Sequence, residues 1–188
     1  MALEKYIVSK DDSIYEAWPD IAMTKNGKLI CVFSECKHHG DRDQARIVYK
    51  ESLDKGKTWS EKIALTEKGT SKNYFNCARI SRMPDESLII IADYVVENEN
   101  HMARTYLWRS YDDGITWQGP FDNPSAGIVP DKIKVLKSGR WIISSHFLDR
   151  SINKLVQYLW YSDDEGKTWS DKITVARDER YNLFCPIR

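Results

Sequence analysis

At 188 residues, 41% of them hydrophobic, the chain can bury a sizeable core, either as one domain or as a short array of repeats. Its 28 basic and 28 acidic residues cancel to zero formal charge, which argues against a nucleic-acid partner, because gripping a phosphate backbone calls for a basic excess or stripe. No apolar run approaches membrane-span length, and the opening MALEKYIVSKDDSIYEAWPD lacks the charged-then-apolar order of a secretory signal. No membrane partner is therefore expected, and the chain reads as soluble and, as written, cytoplasmic.

Seven Trp and ten Tyr favour strands, and the Gly and Pro residues fall at turns, so an all-β protein is predicted. The first period runs through DIAMTKNGKLICVFSEC (Asp20 to Cys36), ARIVYKES (Ala45 to Ser52), the turn SLDKGKTW (Ser52 to Trp59) and EKIAL. The second runs through ARISRMPDESLIIIADY (Ala78 to Tyr94), ARTYLWRS, the turn SYDDGITW (Ser110 to Trp117) and a shorter tail. The third runs through DKIKVLKSGRWIISSHF (Asp131 to Phe147), LVQYLWYS, the turn SDDEGKTW (Ser162 to Trp169) and DKITVA. Alternating or continuous apolar runs of strand length, broken at KNGK, MPDES and KSGR, give four short strands per period, and no segment has helical periodicity.

Four-stranded antiparallel units repeating at about fifty residues predict a β-propeller, each sheet one blade around a central channel. The blades are expected over 14–72, 73–125 and 126–180, and 181–188 begins a further one, because NLFCPIR matches the opening of NYFNCARI. Three blades fall short of the roughly four to eight of a closed ring. Either the chain is part of a longer protein, or a homodimer or higher oligomer completes the ring.

Aligned, the three turns read S-x-D-x-G-x-T-W. Asp54, Asp112 and Asp164 can accept hydrogen bonds from their own turns, the Gly supplies positive φ, and Trp59, Trp117 and Trp169 offer large faces to pack between blades. These positions read as structural, not catalytic. Cys31, Cys36, Cys77 and Cys185 form no C-x-x-C pair and have no histidine comb beside them, so reduced thiols are expected, with no metal and no cofactor.

The three turns resemble the Asp-boxes, or BNR repeats, of the sialidase (neuraminidase) superfamily. That resemblance covers nearly the whole chain. It implies a six-bladed propeller with each box between the third and fourth strands of a blade, and a glycan or small carbohydrate as substrate. Asp-boxes also occur in other glycosidases, in sorting receptors and in assembly factors, so three readings stand: a glycoside hydrolase, a non-catalytic propeller for glycan or protein, and an incomplete propeller that assembles.

Blade topology places any site at the end opposite the boxes. There the starts of the inner strands bring Trp18, Asp20, Asn76, Arg79, Asp131 and Lys132 to a central pocket, rimmed by Glu35 to Asp43, Asp93 to His101 and His146 to Arg150. The rim SECKHHGDRDQAR crowds Glu35, Lys37, His38, His39, Asp41, Arg42 and Asp43, enough to hold a carboxylic acid beside cations that bind an anionic sugar. The sialidase resemblance nominates Asp41 or Asp43 as acid/base and contributes a further expectation. Where that family has Arg-Ile-Pro to clasp the substrate carboxylate, this chain has Trp18-Pro19-Asp20-Ile21, and Arg79 or Arg188 stands at the opening of a later repeat as a substitute. Trp18 could stack on a sugar ring or simply pack. The family's nucleophilic Tyr and its Glu have no match in the sequence.

Overall fold

The computed structural model describes residues 4–97, 103–127 and 131–184, so His101, Cys185 and Arg188 lie outside the described residues. Among the described residues it contains twelve strands and no helix. Three separate four-stranded antiparallel sheets follow the chain. The first holds β1 (Tyr15–Met23), β2 (Leu29–Cys36), β3 (Arg46–Ser52) and β4 (Ile63–Ala64). The second holds β5 (Tyr74–Arg82), β6 (Leu88–Val95), β7 (Arg104–Ser110) and β8 (Gln118–Ala126). The third holds β9 (Lys134–Val135), β10 (Trp141–Asp149), β11 (Lys154–Ser162) and β12 (Ile173–Ala176). Each is a simple meander, the topology of a propeller blade. Among the described residues no helix is long and apolar enough to cross a membrane.

The inner hairpins of the three blades are locally the same object. Thr24 N–H donates to Lys28 O, Met83 N–H to Ser87 O and Leu136 N–H to Arg140 O, each at 2.8 Å. The left-handed position of that turn is Gly27, Glu86 and Gly139 in turn. Counting back from these hairpins, Asp20, Arg79 and Lys132 occupy one register position in successive blades. Upstream of it, β1 and β5 each carry a bulge, between Ala17 and Asp20 and between Asn76 and Arg79. Trp18 (φ 54°) and Cys77 (φ 51°) take the same left-handed conformation there. Within the matched stretch Trp18-Pro19-Asp20-Ile21, Trp18 therefore corresponds to Cys77 and Asp20 to Arg79.

Side chains alternate across each strand, so a blade's middle strand feeds two cores. Leu88, Ile90 and Ala92 of β6 join Ile30, Val32 and Ile47 of the first blade. Ile89 and Ile91, on the other face of β6, join Ile133, Trp141 and Ile143 of the third. The continuous apolar run of β6 is thus that of a strand covered on both faces. Each such side chain contributes about 1.5–3 kcal/mol on burial. The remaining face of the first blade is covered by Val8 and Trp59, packed on Cys31, Phe33 and Val48.

The outer strand of the second blade departs from the short tail expected. β8 runs nine residues, against two for β4. It contains Pro120 and Pro124 and pairs with β7 through two register shifts. An edge strand needs hydrogen bonds on one side only, which is why prolines are tolerated in it.

Candidate functional site

The repeated turns close one end of the blades and leave the other end to the loops. In the first turn, Ser52 Oγ donates to Asp54 Oδ1 at 2.8 Å and accepts from Gly56 N–H at 2.8 Å. Asp54 also receives the Thr58 backbone N–H at 2.9 Å and the Thr58 hydroxyl at 2.6 Å. Asp112 and Asp164 make the same bonds to Thr116 and Thr168. The hydroxyl and N–H of that threonine hold each of the three carboxyls down at about 2. These aspartates are turn staples, with both carboxylate oxygens bonded within their own turn. Trp117 packs on the core between the first two blades, Trp169 on that between the second and third, and Trp59 on the equivalent face of the first.

At the opposite end, a cleft of about 570 Å³ opens between the β2–β3 loop of the first blade and the start of β5 with the end of β6 in the second. His39, Asp41, Arg42, Lys72, Asn76 and Glu97 are among the residues that line it. Trp18, on the innermost strand, backs His39 and Arg42. The Arg42 guanidinium lies 4.4 Å from the Trp18 ring centroid, and the His39 ring 5.9 Å from it. Tyr15 sets its ring edge-on to both Trp18 and His39, and its hydroxyl is 3.1 Å from His39 Nδ1. The left-handed backbone at Trp18 costs about 1–3 kcal/mol, and the Arg79 guanidinium bonds the Trp18 carbonyl at 3.2 Å.

The two nominated acids differ. Asp41 accepts the Asp43 N–H at 3.0 Å and pairs with Lys37 at 3.3 Å. That N–H and the lysine hold its carboxyl below the usual range, the wrong direction for a proton donor. Asp43 is half-buried, and its carboxylate has no hydrogen-bond or ion-pair partner among the described residues.

Of the other predicted site residues, His39 and Arg42 line the cleft and Trp18 adjoins it. Lys37 is outside, tied to Asp41. Glu35 points to the far face of its blade, where Arg46 Nε at 2.7 Å and Lys62 Nζ at 2.9 Å bind it. Burial raises the Glu35 carboxyl, but Lys62 and Arg46 outweigh it and hold it low. Glu35 is therefore part of an ion network, because strand alternation turns it away from the cleft side. Asp20 lies at the axis, accepting from Ile80 N–H and Lys132 Nζ, both at 3.1 Å, so one carboxylate links three blades. Asp131 receives the Lys132 N–H at 2.9 Å, away from the cleft. His146 is buried within β10, its ring 6.0 Å from that of Phe184. Asp93, expected on a rim loop, is fully buried in β6.

The sequence reading passed over Tyr15, Lys72 and Tyr74, while Glu97 falls within the Asp93 to His101 rim it expected. Lys72 sits on the connection between blades and Tyr74 opens β5, and nothing in a single period marks that stretch as facing the loop of the preceding one. Among the described residues, no group of three or more His, Cys, Asp or Glu side chains is placed to hold a metal ion. Cys31, Cys36 and Cys77 are buried and, among the described residues, in no disulfide.

No protein-family model matches the chain. It is 25% identical over 178 residues to a sialidase of Clostridium perfringens, an alignment covering 92% of this chain and 36% of that protein. The chain thus spans about a third of the length of the curated relative it matches. A Hadza microbial sialidase superposes with a TM-score of 0.66 at 19% identity, over 82% of this chain and 36% of that one. The GH93 α-L-arabinofuranosidase of Fusarium graminearum, in complex with arabinobiose, superposes with a TM-score of 0.66 at 14% identity, over 94% of this chain and 54% of that one. Repeated turns, meander blades and inter-blade cores agree with these likenesses: the chain is similar to sialidases and is built of the four-stranded blades of a β-propeller.

Proposed function

We propose that the protein is a carbohydrate-active, sialidase-like propeller that holds a glycan in the cleft between the first and second blades. The observation that carries this reading is the shelf of Trp18, Tyr15 and His39 beside that cleft, with Arg42 at its lip. Half-buried aromatic rings next to polar side chains suit a sugar, which presents apolar C–H faces and a hydroxyl rim. The sialidase relative and the arabinofuranosidase complex lend the reading weight. A glycan array probed with the protein tests it. Wild type is expected to retain a discrete set of glycans that Trp18→Ala loses while its melting temperature stays within a few degrees of wild type. Retention of the same glycans by the variant would count against the shelf.

A hydrolytic role is a second reading, favoured by the unengaged carboxylate of Asp43. Asp43 would serve as the acid and Asp41 would only shape the loop. The test is turnover of fluorogenic aryl glycosides by wild type, Asp43→Asn and Asp41→Asn. Absence of turnover in wild type would reject hydrolysis and leave binding as the function.

A further inference from the structure

We propose that the chain pairs with a second copy of itself, the first blade of each packing on the third blade of the other so that the two close one ring; this stands apart from the glycan reading. Inside the chain every joint runs front to back, the forward face of one blade meeting the backward face of the next. Residues at equivalent register positions can therefore be compared across the joints. Ile21, Ile80 and Ile133 each stand three residues before the hairpin donors Thr24, Met83 and Leu136. Ile80 is buried in the joint between the first two blades and Ile133 in that between the second and third, whereas Ile21, on the back of the first blade, is 46% exposed. Met23, two residues on along the same face, is exposed with it. The front of the third blade mirrors this. Met83 is buried where the second blade meets the third, whereas its equivalent Leu136 is 45% exposed.

An open back and an open front are the two halves of one joint, and exposed apolar strips of this kind mark contact surfaces. A chain that carries both halves is complementary to its own copy, and a head-to-tail contact closes when the repeated rotation completes a turn. The three blades span 54% of the arabinofuranosidase chain they superpose on, so two copies supply the blades of one such propeller. Both open strips lie beside the axis. Farther out, Val8 covers Cys31 and Phe33 on the first blade, and the Asn182–Phe184 stretch bonds Leu155 and Gln157 on the third. Those coverings leave Ile7 and Phe184 exposed, so each end stays apolar beyond its axial strip. Lys134, beside Leu136, is already paired with Asp131 at 3.8 Å and brings no unbalanced charge to the contact.

The experiment is sedimentation velocity on the whole chain from about 1 to about 200 µM, for wild type, Ile21→Glu and Leu136→Glu. Both positions are exposed in the single chain, so each variant should melt within a few degrees of wild type. Wild type is expected to level off at about twice the 21.9 kDa chain mass, and each variant should raise the dissociation constant at least about tenfold. A mixture of the two variants keeps one joint whole, because the Ile21→Glu copy retains its third blade and the Leu136→Glu copy its first. That mixture should therefore associate more tightly than either variant alone. A wild type that stays single over the whole range would give these faces to further blades or to another protein, and overturn the inference. Growth past the dimer would overturn it too, since the rotation then fails to close. A dimer indifferent to either substitution, or a mixture no tighter than the separate variants, would do the same. None of these results touches glycan binding, which the array reads separately.

Discussion

Gly114, in the second repeated turn, does more than permit the turn, and Gly114→Ala exposes the difference. Its φ of +82° lies in the left-handed region, where a Cβ costs about 1–2 kcal/mol. Gly139, in the inner hairpin of the third blade, has a φ of +88° and open space around any added Cβ, so Gly139→Ala isolates that backbone cost. The smaller chain entropy of unfolded Ala offsets part of it, leaving about 1 kcal/mol. At Gly114 a Cβ would fall 2.4 Å from Cδ1 of Ile30, a fully buried side chain of the neighbouring blade. Ile30 must then leave its rotamer inside a close-packed core, adding about 1–3 kcal/mol. Urea unfolding followed by tryptophan fluorescence reads both variants. With an m-value of about 2 kcal/mol/M, the midpoint should fall by about 0.5 M for Gly139→Ala and by about 1–2 M for Gly114→Ala. Adding Ile30→Val to Gly114→Ala removes the clashing methyl and should recover part of the loss, a coupling that independent sites would not show. Equal losses for the two glycine variants would refute the claim that this turn is wedged against the adjoining blade.

Further outcomes follow from charge. The turn aspartates sit at about 2 in the fold, held by threonine, against about 3.9 in an unfolded chain. Their stabilisation is therefore complete above about pH 4 and lost as pH falls from about 4 to about 2; Asp112→Asn should be the less stable protein at pH 7 and converge on wild type near pH 2 in urea melts. Lys62→Met leaves Glu35, 2% exposed, with Arg46 alone, and should cost about 2–3 kcal/mol, under the figure for a fully buried pair because Lys62 reaches solvent. The deficit should shrink as pH is lowered from 7, since the Glu35 carboxyl then lies above its unfolded value and protonation favours the fold; a constant deficit would argue against the ion network. In the hydrolytic reading, Asp43→Asn should cut turnover of an aryl glycoside by about 10²–10⁴ while Asp41→Asn stays within about tenfold; the reverse order would exchange the two roles.

The repeated turn was legible in the sequence because its hydrogen bonds close within a few residues. Ser52 to Gly56 and Asp54 to Thr58 are both four residues apart, and the spacing of S-x-D-x-G-x-T-W is the spacing of those bonds. Strand content and blade order were legible for the same kind of reason, since alternation and hairpin turns are local. The cleft was legible only in part. The crowded loop from Lys37 to Asp43 announced itself by composition, and Trp18 and Asn76 by their place at the start of inner strands.

What the chain's own order of residues determined is the unit: a four-stranded meander, stapled at one corner and repeated three times. Tertiary structure alone decided what each unit is used for. Glu35 and Asp41 lie within one acidic and basic cluster in sequence, yet strand alternation and packing send one into an ion network and the other to the cleft. Asp20 holds blades whose partner residues lie 60 and 112 positions away. The Arg79 guanidinium is committed to carbonyls of its own blade and its neighbour. Local hydrogen bonds depend on spacing along the chain, whereas burial and charge pairing depend on which blade faces which. The second kind of information exists only once the sheets have packed.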